Sequence, residues 1–394
     1  MANFLLIGRY PTSTGPHIRF TLARRIHGWS WQAFPIGMGT GAVYLTLSGL
    51  NQRWPVFRTI ETVFFFINLV LFFVNISTLT LQAILYPRQA IRLITDPTKN
   101  IFIPLFVLSI ATLIIGAIKY GVSPGIIRPT VIYALFWIYV TFSLAISFPI
   151  LIIWFNKPHD IRTFSPTWAF LIFPIMLVGV VAFNVLSTMD ASNPRAIGVL
   201  FIGYVFQGVG FFVTMFYICI YFLRIMMTGF LDGSQANGAF VAVGPPGFTA
   251  LALLNLGIRS REILTQNSLI SPNAGEIWYA TSVLFSLMLF GFAVFLAVFS
   301  VVPYSFKLRA HLNEILGCWA LTFPNVGWIA TAGALGDVLS IPGFFILQAT
   351  CALVITLIWL VLSFFTLVAF RRGLIFYDRE DVVAEDLEGA RGSD

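Results

Sequence analysis

The chain has 394 residues, of which 58% are apolar and only 10% are charged. Ordinary globular domains carry about 25% charged residues, so a soluble fold of this size lacks the charge to cover its surface, and disorder is excluded by the same apolar excess. Forty-one phenylalanines and a mean hydropathy of +0.89 describe a chain whose solvent is mostly lipid.

The first apolar run, residues 4–7, is too short for the core of a signal peptide and is followed by a polar, basic stretch, so the N-terminal tail is expected to stay in the cytoplasm. A spanning helix needs about 20 mainly apolar residues. Ten segments qualify: 31–50, 59–85, 101–120, 130–155, 168–189, 197–224, 239–257, 275–303, 312–335 and 343–370. The breaks between them are short and rich in turn and cap residues, as in Asp96-Pro97-Thr98-Lys99, Asn156-Lys157-Pro158-His159-Asp160 and Ser192-Asn193-Pro194-Arg195. They leave no room for a soluble domain. The expected organisation is a cytoplasmic tail (1–28), one transmembrane transport domain (29–370) and an acidic, solvated cytoplasmic tail (371–394). The fold class is therefore an all-α polytopic membrane protein with ten transmembrane helices.

The net charge is +7, and its placement carries the information. Seven of the sixteen acids follow Tyr377, and residues 1–377 carry a net +12. The basic residues sit singly in the breaks, which does not suit nucleic acid; attraction of an anionic solute, or topology alone, suits it better. Sorted by side, Lys and Arg divide 16 to 7, which places both termini in the cytoplasm. Arg24 and Arg25 before the first helix, Arg162 before the fifth and Arg224 at the end of the sixth are candidates for raising local anion concentration.

Prolines inside the spans are periodic. Pro35, Pro104, Pro174, Pro246 and Pro324 fall in the five odd-numbered segments, 69, 70, 72 and 78 residues apart, and each has a phenylalanine within two positions: Phe34, Phe102, Phe173, Phe248 and Phe323. The interiors of the even segments hold only Pro149. A period near 70 is one helical hairpin with its loops, so the pattern reads as five parallel hairpin repeats around a central pore, odd helices inside and even helices outside. Proline kinks a helix and frees carbonyls, which hydrocarbon tolerates only where protein or water meets them. Phe34, Pro35, Pro104, Phe173, Pro174, Pro246, Phe248 and Pro324 are therefore expected to line the pathway.

The pathway is expected to lack fixed charge. Glu61, Asp190, Glu276, Glu314 and Asp337 all lie near predicted helix ends, where water at the interface solvates them, and no basic residue is mid-span. Hydroxyls of Thr40, Thr249 and Thr322 and the amide of Asn325 remain as weak contacts for a solute that must also leave. Any proton coupling is then expected to run through a singly protonated substrate. Cys219, Cys318 and Cys351 lie far apart in apolar segments, and His17, His27, His159 and His311 form no ligand pair, so neither a metal nor another cofactor is expected. With no nucleophile–base pair visible either, an enzyme is not expected.

Five stretches carry a family resemblance: Trp29-Ser30-Trp31-Gln32-Ala33-Phe34-Pro35-Ile36-Gly37-Met38-Gly39-Thr40-Gly41, Ser165-Pro166-Thr167-Trp168 through Phe173-Pro174, Phe206-Gln207-Gly208-Val209-Gly210-Phe211, Val243-Gly244-Pro245-Pro246-Gly247-Phe248, and Gly317-Cys318-Trp319-Ala320-Leu321-Thr322-Phe323-Pro324-Asn325-Val326-Gly327. In this order they resemble the tellurite-resistance/dicarboxylate transporter family, and within it the fungal malic-acid carriers, from about Phe20 to Phe370. The resemblance implies five hairpins around a pore, a homotrimer, and transport of small anions such as malate, in a multi-pass protein expected in the plasma membrane. It also implies that a phenylalanine of the ninth helix closes the pore; the matching position is Phe323. Sulfite export, or general small-anion conduction, is the alternative within the same fold.

Overall fold

A computed structural model describes residues 17–51, 54–306 and 314–391. The apolar run at residues 4–7 and the basic residues Arg9, Arg53, Lys307 and Arg309 lie outside the described residues.

Every regular element among the described residues is a helix. In chain order they are α1 (His17–His27), α2 (Phe34–Leu47), α3 (Pro55–Leu85), α4 (Pro87–Thr95), α5 (Pro104–Ala117), α6 (Pro129–Phe155), α7 (Val178–Leu186), α8 (Pro194–Thr228), α9 (Gly244–Gln266), α10 (Ala274–Phe306), α11 (Val326–Leu339), α12 (Pro342–Arg371) and α13 (Glu380–Arg391), with short turns between several of them. Among the described residues, eight helical stretches are long and apolar enough to cross a membrane, and Phe34–Leu47 and Phe173–Leu186 are shorter apolar helices. The chain is a polytopic helical membrane protein.

The loops stop and start helices by simple chemistry. Proline opens α3, α4, α5, α6, α8 and α12, where its missing N–H is not needed. Side-chain oxygens fill in at the caps: Asp96 Oδ1 accepts from Thr98 N at 2.9 Å, and Asn193 Oδ1 from Arg195 N at 3.0 Å. Gly229, at φ +81°, ends α8 in a conformation that side chains resist.

Burial alternates along the chain. In the most apolar window of Gln235–Gln266, 89% of residues are buried, against 22% in Pro55–Leu85 and in Pro342–Arg371. The buried helices pack on one another: α2 on α5, α5 on α7, α7 on α9, α9 on α11, and α11 back on α2. Each also packs on the exposed helix that follows it in sequence. Exposed helices carry rows of bare Phe, Val, Leu and Ile such as Phe66, Phe73, Phe212 and Phe216, which only hydrocarbon accommodates.

Small residues set the closest approach inside. A methyl on Gly247 would stand 2.8 Å from the backbone nitrogen of Trp328, and one on Gly327 would meet the backbone of Phe248, so α9 and α11 touch main chain to main chain. A second pattern is absent from the proline reading. Asn68, Gln207 and Gln348 are 139 and 141 residues apart, twice the proline period, and each buries its amide oxygen against a glycine of the preceding buried helix: Gly37, Gly179 and Gly333.

The periodic prolines act differently from the kinks expected of them. Each stands within the first three positions of a helical piece, and three follow a tighter entry turn: Trp31–Ala33 before Pro35, Pro166–Leu171 before Pro174, Gly233–Val243 before Pro245 and Pro246. Pro104 opens α5, and Pro324 sits in the turn Phe323–Asn325 ahead of α11. They begin helices rather than break them, which costs no hydrogen bond. The exposed helices carry two interior prolines, Pro149 in α6 and Pro303 in α10, because α10 runs beyond its expected end.

Two expectations about charge also change. Glu61 is wholly buried, accepting from Tyr120 Oη at 3.2 Å, rather than solvated; Asp190, Glu276, Glu314 and Asp337 are exposed as expected. The C-terminal segment is not a free solvated tail. Asp378 and Asp386 dock on His27, and Val383 is buried with Ile26 and Tyr86.

Candidate transport pathway

A cavity of about 1740 Å³ enters the bundle from the face that carries α1 and α13. Its rim comes from the polar breaks: Pro97 and Thr98, His159 and Thr163, Gln235, Glu314 and Arg372. Deeper, Met38, Leu105, Phe170 and Trp319 make the wall apolar. Its inner end is bordered by Phe173, Phe323 and Pro324.

That end is built by the break between the last two buried pieces. Thr322 leaves helical geometry (φ −98°, ψ −83°), turning the chain between Trp319–Leu321 and Phe323–Asn325. Phe323 is 4% exposed and its ring lies 5.1 Å from that of Phe248, behind it, at an interplanar angle of 32°. Phe173 approaches from the opposite buried helix; a methyl on Gly244 would stand 3.5 Å from its ring and 3.7 Å from Pro324 Cβ. Phe173 and Pro324 thus meet around Gly244, and Phe323 is backed by Phe248.

Of the residues predicted to line the pathway, the structure brings Pro35, Phe173, Phe323 and Pro324 to the cavity wall. Phe34, Pro104, Pro174, Pro246 and Phe248 lie in the packing behind it. The hydroxyls and the amide are used inside the bundle. Thr40 Oγ1 donates to Ile36 O at 2.9 Å and accepts from Trp359 Nε1 at 3.0 Å. Thr249 Oγ1 accepts from Gln207 Nε2 at 2.8 Å. Thr322 Oγ1 donates to Trp319 O, and Asn325 Nδ2 to Leu321 O, at 2.7 and 2.9 Å, so both side chains are spent on main-chain carbonyls at the break.

The four predicted arginines separate into two groups. Arg24 and Arg25 face the C-terminal segment. Arg24 Nε donates to Asp378 O at 2.8 Å and its guanidinium lies 4.1 Å over the Tyr377 ring, while Arg25 lies 4.1 Å over Phe370. Arg224 Nη2 donates to Arg162 O at 3.0 Å and to Gln235 Oε1 at 2.6 Å, next to the cavity rim, and Arg162 is exposed beside it.

Sequence reasoning missed several groups. Gln235, Asn237, His159 and Arg372 border the cavity but carry no motif. His27 is buried with a carboxylate on each ring nitrogen, Asp378 Oδ2 at 2.7 Å and Asp386 Oδ2 at 2.9 Å; both partners lie more than 350 residues away, beyond any local signal. No group of His, Cys, Asp and Glu among the described residues is arranged to hold a metal ion.

Known proteins place this architecture. The putative malic acid transport protein of Schizosaccharomyces pombe is 26% identical over 375 residues, 94% of this chain and 85% of the relative. A malic acid transport protein of the same organism is 28% identical over 377 residues, 93% of this chain and 83% of the relative. A sulfite efflux pump of Arthroderma benhamiae is 23% identical over 337 residues, 84% and 87% of the two chains. The family model described as SLAC1, voltage-dependent anion channel, matches residues 28–367. The chain belongs to the SLAC1 family and is an anion transporter of it.

Proposed function

We propose that the chain moves small organic anions, malate and related dicarboxylates foremost, through the centre of the bundle, with Phe323 as the gate. The observation that carries this reading is the cavity: it runs from a polar rim through an apolar wall to the Phe323–Phe173 constriction. The malic acid transport proteins among its relatives match over more nine-tenths of this chain, and favour a dicarboxylate over sulfite.

The transport domain is read as ten membrane helices in five parallel hairpins, spanning 29–370, with the buried helix of each hairpin in an inner ring. The closed order of packing among α2, α5, α7, α9 and α11 supports this, as does the amide–glycine pattern at twice the proline period. The excess of Lys and Arg on the side of the cavity mouth supports a cytoplasmic position for that face and for both termini. A plasma-membrane location and a homotrimer belong to the same proposal, from the family resemblance.

The deep wall carries no fixed charge, so proton coupling is assigned to the substrate, which enters as a singly protonated anion. Glu314 is the carboxylate that borders the cavity. Glu314→Gln should therefore leave the pH profile of malate uptake unchanged; a profile that flattens while uptake persists would move the proton onto the protein. The transport reading itself is tested by current recordings from oocytes expressing the chain. Internal malate should set the reversal potential. A potential that follows sulfite and ignores malate would assign the pore to the sulfite branch.

A further inference from the structure

We propose that the side-chain amides of Gln235 and Asn237 form a two-pronged clamp for one carboxylate of the transported anion, on the wall of the cavity. The inference rests on the dicarboxylate reading and adds to it the place and the chemistry of recognition.

Both residues lie on the entry turns Gly233–Val243 and both border the cavity. Their carbonyl oxygens are already engaged. Gln235 Oε1 accepts from Arg224 Nη2 at 2.6 Å, and Asn237 Oδ1 accepts from Tyr304 Oη at 2.7 Å. A guanidinium has donors only, so the Gln235 amide cannot turn over without losing that bond. With both oxygens held, both NH₂ groups are left to face other acceptors. Asn237 is 2% exposed, and beside its Nδ2 stands only the thiol of Cys318, a weak acceptor. A buried donor without a strong acceptor is costly, and an arriving carboxylate oxygen supplies one.

Glycines keep side chains off the backbone next to that amide. A methyl on Gly317 would stand 3.0 Å from Asn237 Nδ2, and one on Gly238 would collide with Ser165 Oγ; all four residues border the cavity.

Charge favours an anion here without binding it directly. Arg224 is 8% exposed, its Nε and Nη1 have no hydrogen-bond partner, and among the described residues no carboxylate lies within ion-pair distance of it. An uncompensated guanidinium thus stands directly behind the Gln235 amide and polarises it, strengthening its N–H as a donor. Glu314 is on the same cavity wall but is exposed, where water screens it. The anion is drawn by a charge one residue away and held by neutral donors, an arrangement that permits release.

The test is uptake by the purified full chain in proteoliposomes, with labelled malate and with nitrate, which has no carboxylate. Asn237→Leu and Gln235→Leu should each raise the malate KM by at least about tenfold with little change in maximal rate, the loss expected for one hydrogen bond to a charged group, and should leave nitrate passage intact. Tyr304→Phe, which frees the Asn237 amide to turn, should raise KM in the same direction by a smaller factor. An unchanged malate KM in both leucine variants overturns the clamp, and so does an equal loss of malate and nitrate passage, which would make the two amides structural. A wild-type chain that passes nitrate but never malate overturns the dicarboxylate reading itself, a result separate from either.

Discussion

A chain carrying Phe323→Ala should pass small anions at least about tenfold faster than the wild type, the change produced by lowering a barrier by about 1.4 kcal/mol. Phe323 stands at the inner end of the cavity and is nearly fully buried, with Phe248 behind it at a tilt and Phe173 on the same cavity wall. On the proposed pathway a permeating anion has to displace or pass the ring, and the residues beside it offer no charge in compensation. Truncation to alanine removes the obstacle and leaves Phe248 as the next ring. Phe248→Ala takes away the support instead of the obstacle, so its effect should have the same sign and be smaller. Truncating a buried phenylalanine costs about 3–5 kcal/mol in an ordinary core, so flux has to be normalised to the amount of folded protein in the membrane. An unchanged flux per folded molecule contradicts the gate.

The second large effect concerns the docked C-terminal segment. Asp386→Ala should release α13, raising its susceptibility to limited proteolysis by about two orders of magnitude, since removing one partner of a buried ion pair costs about 3–5 kcal/mol. Asp386 is 3% exposed and joins His27 on one side and Arg92 on the other, at 2.8 Å and 3.1 Å from the two guanidinium nitrogens. Around the same ring stand Asp378, Tyr86 edge-on at 4.9 Å, and Gln82, which donates to the carbonyls of Ile26, His27 and Trp29. Arg24 holds the segment from the same helix, through the Asp378 carbonyl and an ion pair to Glu380.

This contact depends on pH with a definite sign. Burial favours the neutral ring of His27, but the carboxylates of Asp378 and Asp386 outweigh it and hold the imidazole pKa above its ordinary value. The hydrogen bond from His27 holds Asp378 below the usual carboxylate range, against its own burial. Docking is therefore fully supported by His27 below about pH 6.5, the ordinary histidine value, and is lost as pH rises through the raised one. Asp378 contributes above the ordinary aspartate value, and its share is lost as pH falls through the depressed one. Protection of the segment from hydrogen exchange should fall between neutral and alkaline pH in the wild type, and His27→Gln should abolish that step. Protection that stays constant with pH would mean that the ring is neutral in the docked state.

Much of this architecture is legible in the sequence because lipid leaves so few choices. Each of the ten apolar segments contains a helix, and the prolines identify the buried ones, because the tight entry turns that converge on the cavity end where proline opens a helix. The role of those prolines was not legible: composition cannot tell the first turn of a helix from its middle. Hydroxyl groups mislead for a related reason. Thr322 and Asn325 sit beside the predicted gate, yet a broken helix consumes its nearest polar side chains to satisfy its own carbonyls. Groups that do face the cavity, Gln235 and Asn237, are commonplace residues whose meaning comes from Arg224 and Tyr304, fixed by the packing of other helices. The His27 contact joins the two ends of the described chain and is invisible to any reading along it.

Whether this chain alone carries a dicarboxylate across a bilayer is tested most directly by labelled malate uptake into liposomes that contain only the purified full chain. Uptake should be saturable, inhibited by unlabelled dicarboxylates and accelerated by Phe323→Ala. Malate entry no faster than into protein-free liposomes, while sulfite enters the same vesicles, would contradict the dicarboxylate reading.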